Sequence, residues 1–362
     1  MRKIYSGRNG TASITNPFQM TINTSNTGGF GSAADTFVIP TSASGIPAPG
    51  QLNGAFYGMQ VDWGDGNTTY ITRTNYTTAR IHQYSVAGIY TIKIYAHMIR
   101  GFSFGLALVT LPSGQNDKLK VLSVAKWGNI EPFPRMFNGC ENLTEITAPG
   151  QPNLIPDAGW NGGPMMMFRN CFNLTRINNL NNWNLKGITD SSYMFTGCSR
   201  LEWADSAGTV PLDFSSWNMN TNTDMTFMFL NFGISGSQGD FLCFKITSAT
   251  TLTTSMFAGC LGFNNGPNTS GYELSTWDMQ NVTDMGNMFG GGPTATTSFN
   301  RDISGWDTSS VNDMTGMFYY ASVFNQDLSS WTVTPNVTSC SSFSLGASVW
   351  ALPKPNFLSC TP

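Results

Sequence analysis

Charge is scarce in this chain. Only 11% of its residues are Asp, Glu, Lys or Arg, against about 25% in ordinary soluble domains. The formal net charge is −3, and no cluster of Lys and Arg supplies the basic footprint of a nucleic-acid binder. Histidine is nearly missing too, with His82 and His97 alone. Zinc sites need Cys and His grouped at short spacing, and no such group occurs, so neither a metal nor a cofactor is expected. P-loop and dinucleotide fingerprints are absent, and Gly290–Gly292 reads as a turn. The most apolar window, Gly101 to Leu111, is far shorter than the roughly 20 residues of a membrane-crossing helix, so no membrane insertion is expected. The opening "MRKIYSGRNGTASITNPF" lacks the apolar stretch of a secretory signal. It suggests either a trimmed signal or a protein that leaves the cell as part of a particle. Cysteines number seven. An odd count with four members in one repeated slot argues against a disulfide scaffold, which leaves intermolecular pairing open for Cys243, Cys340 or Cys360.

What is present is repetition. The pair Met-Phe recurs at Met136, Met167, Met194, Met228, Met256, Met288 and Met317, at separations of 31, 27, 34, 28, 32 and 29 residues. "VTSCSSF" supplies a decayed eighth copy around Ser342-Phe343. Such a period marks a solenoid or a propeller. Other slots keep phase: Trp183, Trp217, Trp277, Trp306 and Trp331, each with an apolar residue three positions earlier, and the cysteines Cys140, Cys171, Cys198 and Cys260. Within "VTDMGNMF", Met285, Met288 and Phe289 fall on one face of a helical turn, with Thr283 or Asp284 placed to cap it. The "DISGW" piece reads as extended. One such unit cannot bury its Met, Phe and Trp alone, but stacked units form a continuous core. With one strand per unit at about 4.8 Å, the pile is a rod on the order of 35 Å long.

Before residue 115 the period is missing. The segments "PFQMTINTS", "TFVIPT", "GMQVDWG", "TTYITR", "ARIHQYS" and "YTIKIYAHM" read as short strands separated by turn residues, which suggests a β-sandwich. "DWGDG" (Asp62 to Gly66) is a tight hairpin signal. The stretch "VDWGDG…HQYSVAGIYTIKI" (Val61 to Ile94) resembles a PKD domain, an immunoglobulin-like sandwich, and the resemblance places His82 in its interior. "LSTWDMQNVTDMGNMF" and "ISGWDTSSVNDMTGMF" resemble the BspA-type leucine-rich repeats of bacterial surface proteins, and "KLKVLSVAKWG" (Lys118 to Gly128) resembles the segment that joins these two modules. The expected architecture is mainly β with short helices. It has an N-terminal arm (1–15), a PKD-like sandwich (16–114), a repeat solenoid of seven to eight coils (115–345) and a C-terminal cap (346–362).

These resemblances imply a non-enzymatic display or adhesion protein. Without a signal, the expected setting is a phage virion, as tail fibre or capsid decoration. It would contact other virion proteins through the arm or the sandwich and a host-surface glycan or protein through the repeats. A bacterial cell-surface adhesin and a polysaccharide-cleaving tailspike are the alternatives. Binding candidates are Asp157, Trp160 and Asn161 in the long loop Ala148 to Pro164, and Trp277 and Trp306 in the repeat slot, read either as core or as an exposed aromatic platform. The loops Asn231 to Asp240 and Gly290 to Ser298 are further insertions where binding residues collect. Asp190, Asp224, Asp284 and Asp313 share one slot, four residues before each Met-Phe pair. They suit turn caps or, stacked, a calcium ladder.

Overall fold

All six N-terminal segments expected to be strands are strands. In the computed structural model they are β1 (Phe18–Asn23), β2 (Thr36–Val38), β3 (Met59–Asp62), β4 (Thr68–Ile71), β5 (Ile81–Gln83) and β6 (Ile89–Tyr95). After them come β7 (Ile99–Phe102), β8 (Val121–Lys126), β9 (Ile130–Pro132), β10 (Glu145–Ile146) and β11 (Arg176–Ile177). The structure describes residues 15–27, 32–41, 58–96, 99–105, 117–132, 134–154, 164–233, 244–263, 274–293, 297–333 and 337–362. Among them the chain is mainly β, with a single short α-helical turn at Tyr76–Ala79.

Alternation builds the first sheet. Phe18, Met20 and Ile22 of β1 are buried while the residues between them are partly exposed, the period-two pattern of a strand with one face on a core. β1 pairs antiparallel with β6 (Met20 opposite Ile92) and with β8 (Met20 opposite Val124). β3 and β4 form the hairpin expected at the Asp-Gly turn, with Asp62 opposite Thr68. The seven-stranded sheet runs β11-β10-β8-β1-β6-β3-β4, antiparallel on one side and parallel from β8 through β10 to β11. β8 lies in the segment expected to join two modules, so one continuous sheet crosses the boundary placed at 114/115. The inter-repeat ladder also reaches back past that boundary. β7 pairs parallel with β9, and Phe104 N–H donates to the Met136 carbonyl at 2.8 Å. Phe104 therefore fills the Phe slot of a repeat that has no Met-Phe pair.

A buried ion pair fastens the front of the molecule to this first rung. Lys120 and Asp117 are both fully buried with Nζ and Oδ1 3.2 Å apart. The ammonium also donates to the carbonyls of Ser32, Ala33 and Thr36, while the carboxylate accepts the backbone N–H groups of Ser32 and Val38, each at 2.8 Å. Every lone pair and proton of the pair thus finds a partner, which a buried charge requires.

From Phe104 onward equivalent residues stack. Rings of Phe137, Phe168, Phe195, Phe229, Phe257, Phe289 and Phe318 follow one another at centroid distances of 5.6 to 5.9 Å. Each Phe N–H donates to the Met carbonyl of the next repeat, as in Phe229 to Met256 at 3.0 Å. Phe318 donates instead to Phe343, so Phe343 occupies the Met slot of the eighth repeat. A second row is the parallel bridge series Asp190, Asp224, Leu252, Asp284, Asp313 and Ser339.

The Met-Phe corner is a turn rather than the expected helical turn. The residue before the Met slot has positive φ in every repeat, among them Tyr193 (57°), Phe227 (56°) and Asn287 (53°). So does the residue three after the Met slot in all but one repeat, as in Asn170, Gly197, Asn231, Gly259 and Gly346. Two left-handed residues four apart cannot continue a right-handed helix. Gly and Asn are the types that take this conformation readily. The corner is also tight, since a Cβ on Gly259 would sit 2.2 Å from Asn231 Oδ1. The piece before Trp likewise turns rather than extends. Trp217, Trp277, Trp306 and Trp331 each return an N–H to the carbonyl three residues back, and the turn buries the side chain at that offset, as with Ile303 and Leu328. At the far end Cys340 and Cys360 form a disulfide, and Phe357 packs edge-on against Phe343 at 4.9 Å. This intramolecular bond replaces the intermolecular pairing left open for those two cysteines. Cys243 lies outside the described residues.

Candidate functional site

Each repeat commits its chemically capable side chains to its neighbours. Trp277 and Trp306 are 3% and 4% exposed, and their indole N–H groups donate to the carbonyls of Phe244 and Leu274 in the preceding repeat at 2.8 and 2.7 Å. Trp217 and Trp331 bond in the same way to Leu180 and Ile303. The repeat tryptophans are therefore a second buried spine, and the binding role proposed for Trp277 and Trp306 does not fit their placement. A buried indole seeks a partner for its N–H, and the stacked repeat supplies a carbonyl at the right height. Asp157, Trp160 and Asn161 lie outside the described residues, as does His97.

The aspartate slot acts as a row of caps. Asp190, Asp224, Asp284 and Asp313 each accept the backbone N–H two residues on, at 2.8 to 2.9 Å, the local geometry that favours Asp in turns. Stacking brings Asp190 beside Asp224 and Asp284 beside Asp313, with Leu252 interposed. Burial raises the Asp190 carboxyl above its ordinary value, hydrogen bonds from Ser192 pull it back, and the neighbouring Asp224 adds to the rise. Among the described residues no group of three or more His, Cys, Asp or Glu comes together. In the N-terminal sheet Asp65 holds the hairpin by accepting from Asn67 N–H at 2.9 Å and meets His82 Nε2 at 2.8 Å. The His82 ring stacks on Trp63 at 4.7 Å.

The four slot cysteines are fully buried and free. Cys171, Cys198 and Cys260 point their thiols at the Phe carbonyls of the preceding repeat. Burial pushes the Cys260 thiol up to about 12 and the other three higher still. Since the thiolate is the reactive form, native alkylation followed by peptide mass mapping should leave all four unmodified. Cys340 and Cys360 should become reactive only after reduction. Labelling of Cys171 in the native protein would contradict this packing.

Outward rows are built from neutral groups. Thr223, Thr251 and Thr283 each donate a hydroxyl to the same slot of the repeat before, at 3.1 to 3.2 Å. Asn281 donates to the Ser248 carbonyl, and Ser330 to that of Ser304. This explains how so few charges suffice: side-chain hydroxyls and amides join rung to rung where other proteins use ion pairs.

One place breaks the regularity. After the third repeat the chain makes a short excursion, closed by an antiparallel bridge between Trp203 and Pro211 and by Ala204 N–H to Val210 O at 2.8 Å. Asp205 locks the excursion by accepting from Thr209 N–H, Val210 N–H and the Thr209 hydroxyl. With Pro149 and Gly150 of the first repeat and Asn178, Asn179, Asn181 and Asn182 of the second, it borders an open cleft of about 470 Å³. This falls within the roughly 300–1,000 Å³ of small-molecule sites. Repeat counting missed it. The signals available were the asparagine-rich "INNLNNWN" and the irregular "WADSAGTVP". The Thr209 hydroxyl first, and then the two N–H groups, draw the Asp205 carboxyl down to about 2 from its ordinary 3.8. A depressed folded-state value means that the latch is complete above the unfolded value and fails as pH falls through the folded one. Protection of the Thr209 and Val210 amides, measured against the intrinsic exchange rate at each pH, should therefore persist at pH 4 and fall toward pH 2. Unchanged protection at pH 2 would show that Asp205 does not hold this turn.

A family model described as "Mycoplasma protein of unknown function, DUF285" matches residues 164–270 and again 244–351, together just over half of the chain. No curated protein and no solved structure matches it.

Proposed function

The chain belongs to the DUF285 family, and on that premise we propose that it is a non-enzymatic surface protein whose stacked repeats recognise a partner outside the cell. The repeats would form a BspA-like leucine-rich-repeat solenoid of seven to eight Met-Phe coils, preceded by an immunoglobulin-like domain of PKD type. The family match falls on the segment that resembles BspA-type repeats. The WGDG hairpin braced by His82 and Trp63 supports the PKD-like reading of the front.

One observation carries the functional reading. The slot Trp, Cys and Asp side chains, where present, are consumed in holding rungs together, while the outward rows between them are rich in neutral hydroxyls and amides, with four asparagines lining one cleft. The Cys340–Cys360 disulfide supports an oxidising, extracytoplasmic setting. We place the protein on a phage particle, as tail fibre or capsid decoration. The front domain or the N-terminal arm would bind other virion proteins, and the repeats would bind a host-surface glycan or protein.

Mass spectrometry and immunogold labelling of purified virions test this placement. Recovery from bacterial envelopes and not from virions would favour a cell-surface adhesin. Reducing ends released from host capsule by the purified chain would favour the tailspike reading and would overturn the non-enzymatic one.

A further inference from the structure

Two side chains of the cleft leave polar groups unspent. Asn178 and Asn181 in its wall bond across to the Thr147 and Pro211 carbonyls. Here Asn182 Nδ2 donates to Asn179 Oδ1 at 2.9 Å, which leaves Asn179 Nδ2 and Asn182 Oδ1 without a partner among the described residues. A free donor and a free acceptor on adjoining planar amides are the complement of a pair of hydroxyls, each of which both donates and accepts.

The setting is rigid. Asn179 is held in a left-handed conformation at φ 61°, its N–H bound to the Ala204 carbonyl at 2.8 Å. Asn181 bridges to Pro211 and Asp213, and the opposite wall is the Asp205-latched turn. Preorganised polar groups cost less ordering entropy when a ligand arrives.

Charge and shape narrow the ligand further. No Lys or Arg lines the cleft among the described residues; Arg176, against its wall, is engaged by Glu145 and by the Ser206 carbonyl, and the Asp205 carboxylate is filled by three donors. A phosphate or an acidic sugar would therefore meet no positive charge in the lining. Pro149 is exposed and Val210 is 44% exposed, so apolar surface flanks the amides, suited to the C–H face of a sugar ring. We propose that this cleft is a binding subsite for a neutral oligosaccharide, recognised through vicinal hydroxyls by Asn179 and Asn182. This rests on the surface-recognition reading and names the ligand class for it.

The experiment uses the purified full chain and two variants, S206W and N179G/N182A. Ser206 is exposed and uses only its carbonyl in the fold, so a Trp there fills the cleft without removing a structural bond. Glycine at 179 keeps the left-handed backbone. Binding to an immobilised panel of neutral, uronic-acid and sulfated oligosaccharides is measured beside binding to host cells. The expected result is retention of neutral members, weakened at least tenfold in both variants while their thermal unfolding midpoints stay put. Retention confined to acidic members, retention undiminished by S206W, or no retention at all would overturn the assignment. If the wild type fails on the panel yet still binds cells, the cleft assignment falls and surface recognition stands. If it binds neither, both fall.

Discussion

Replacing Lys120 by Met should destabilise the front of the molecule by roughly 3–5 kcal/mol, the usual cost of removing one partner from a buried ion pair. Lys120 and Asp117 are both fully buried, and burial draws the Lys120 ammonium below its ordinary value while Asp117 pulls it back up. Without the ammonium, Asp117 remains as an uncompensated buried charge. The carbonyls of Ser32, Ala33 and Thr36 also lose their common donor. The damage should be local first. Residues 32–38 are tied to the repeat array through these bonds, so hydrogen exchange should quicken along β2 before it does in the phenylalanine stack. Exchange and denaturant unfolding check the two parts separately. A K120M/D117L double variant should recover part of the loss, because removing both charges is far less costly than removing one. K120M with unchanged exchange along β2 would show that the pair is not the fastening described.

The Lys120 pair also marks the limit of what the sequence discloses. Ser32 and Val38 lie 85 and 79 residues from Asp117, and nothing periodic connects them. Wherever a rule acts locally or repeats, the chain was legible. Alternation along "FQMTIN" located β1, Asp-Gly located the β3–β4 hairpin, and the Met-Phe spacing located the stack. Spacing alone could not say which backbone shape places Met and Phe inward, and the i, i+3, i+4 pattern fitted a helix as well as a turn. The recurrent Gly or Asn just before the cysteine slot was the discriminating signal, since that slot is left-handed. The start of the array was hidden because "SFG" at 103–105 keeps the ring of Phe104 and loses the methionine. The tryptophan slot was visible as a slot. That it is buried follows from the stacking of tryptophan rings between repeats, as in Trp277, Trp306 and Trp331, which no single repeat contains. The cleft joins three repeats through an excursion that obeys no period, so only its asparagine-rich composition was on view.

The second large effect is expected from Phe229→Ala. Phe229 sits mid-stack, its ring between Phe195 at 5.8 Å and Phe257 at 5.7 Å, with Phe232 and Phe244 edge-on at 5.6 and 5.5 Å. Phe214 stacks on it as well, at 5.9 Å. Truncating a ring so enclosed leaves a cavity that its neighbours cannot collapse into together, and the loss should be about 3–5 kcal/mol. A stacked array is held by nearest-neighbour interfaces, so the lesion should not spread evenly. It weakens two interfaces at once, the one before the fourth repeat and the one after it. Exchange should therefore rise from about residue 190 to about 260, while β1, β6 and β8 keep their protection. The unfolding transition should broaden or split as the array parts into two blocks. The corresponding change at Phe104 should cost less, because that ring has a stacked neighbour of its row on one side only, Phe137 at 6.3 Å. Equal losses at the two positions, with one sharp transition in each, would mean that the rungs do not bear on one another as a pile.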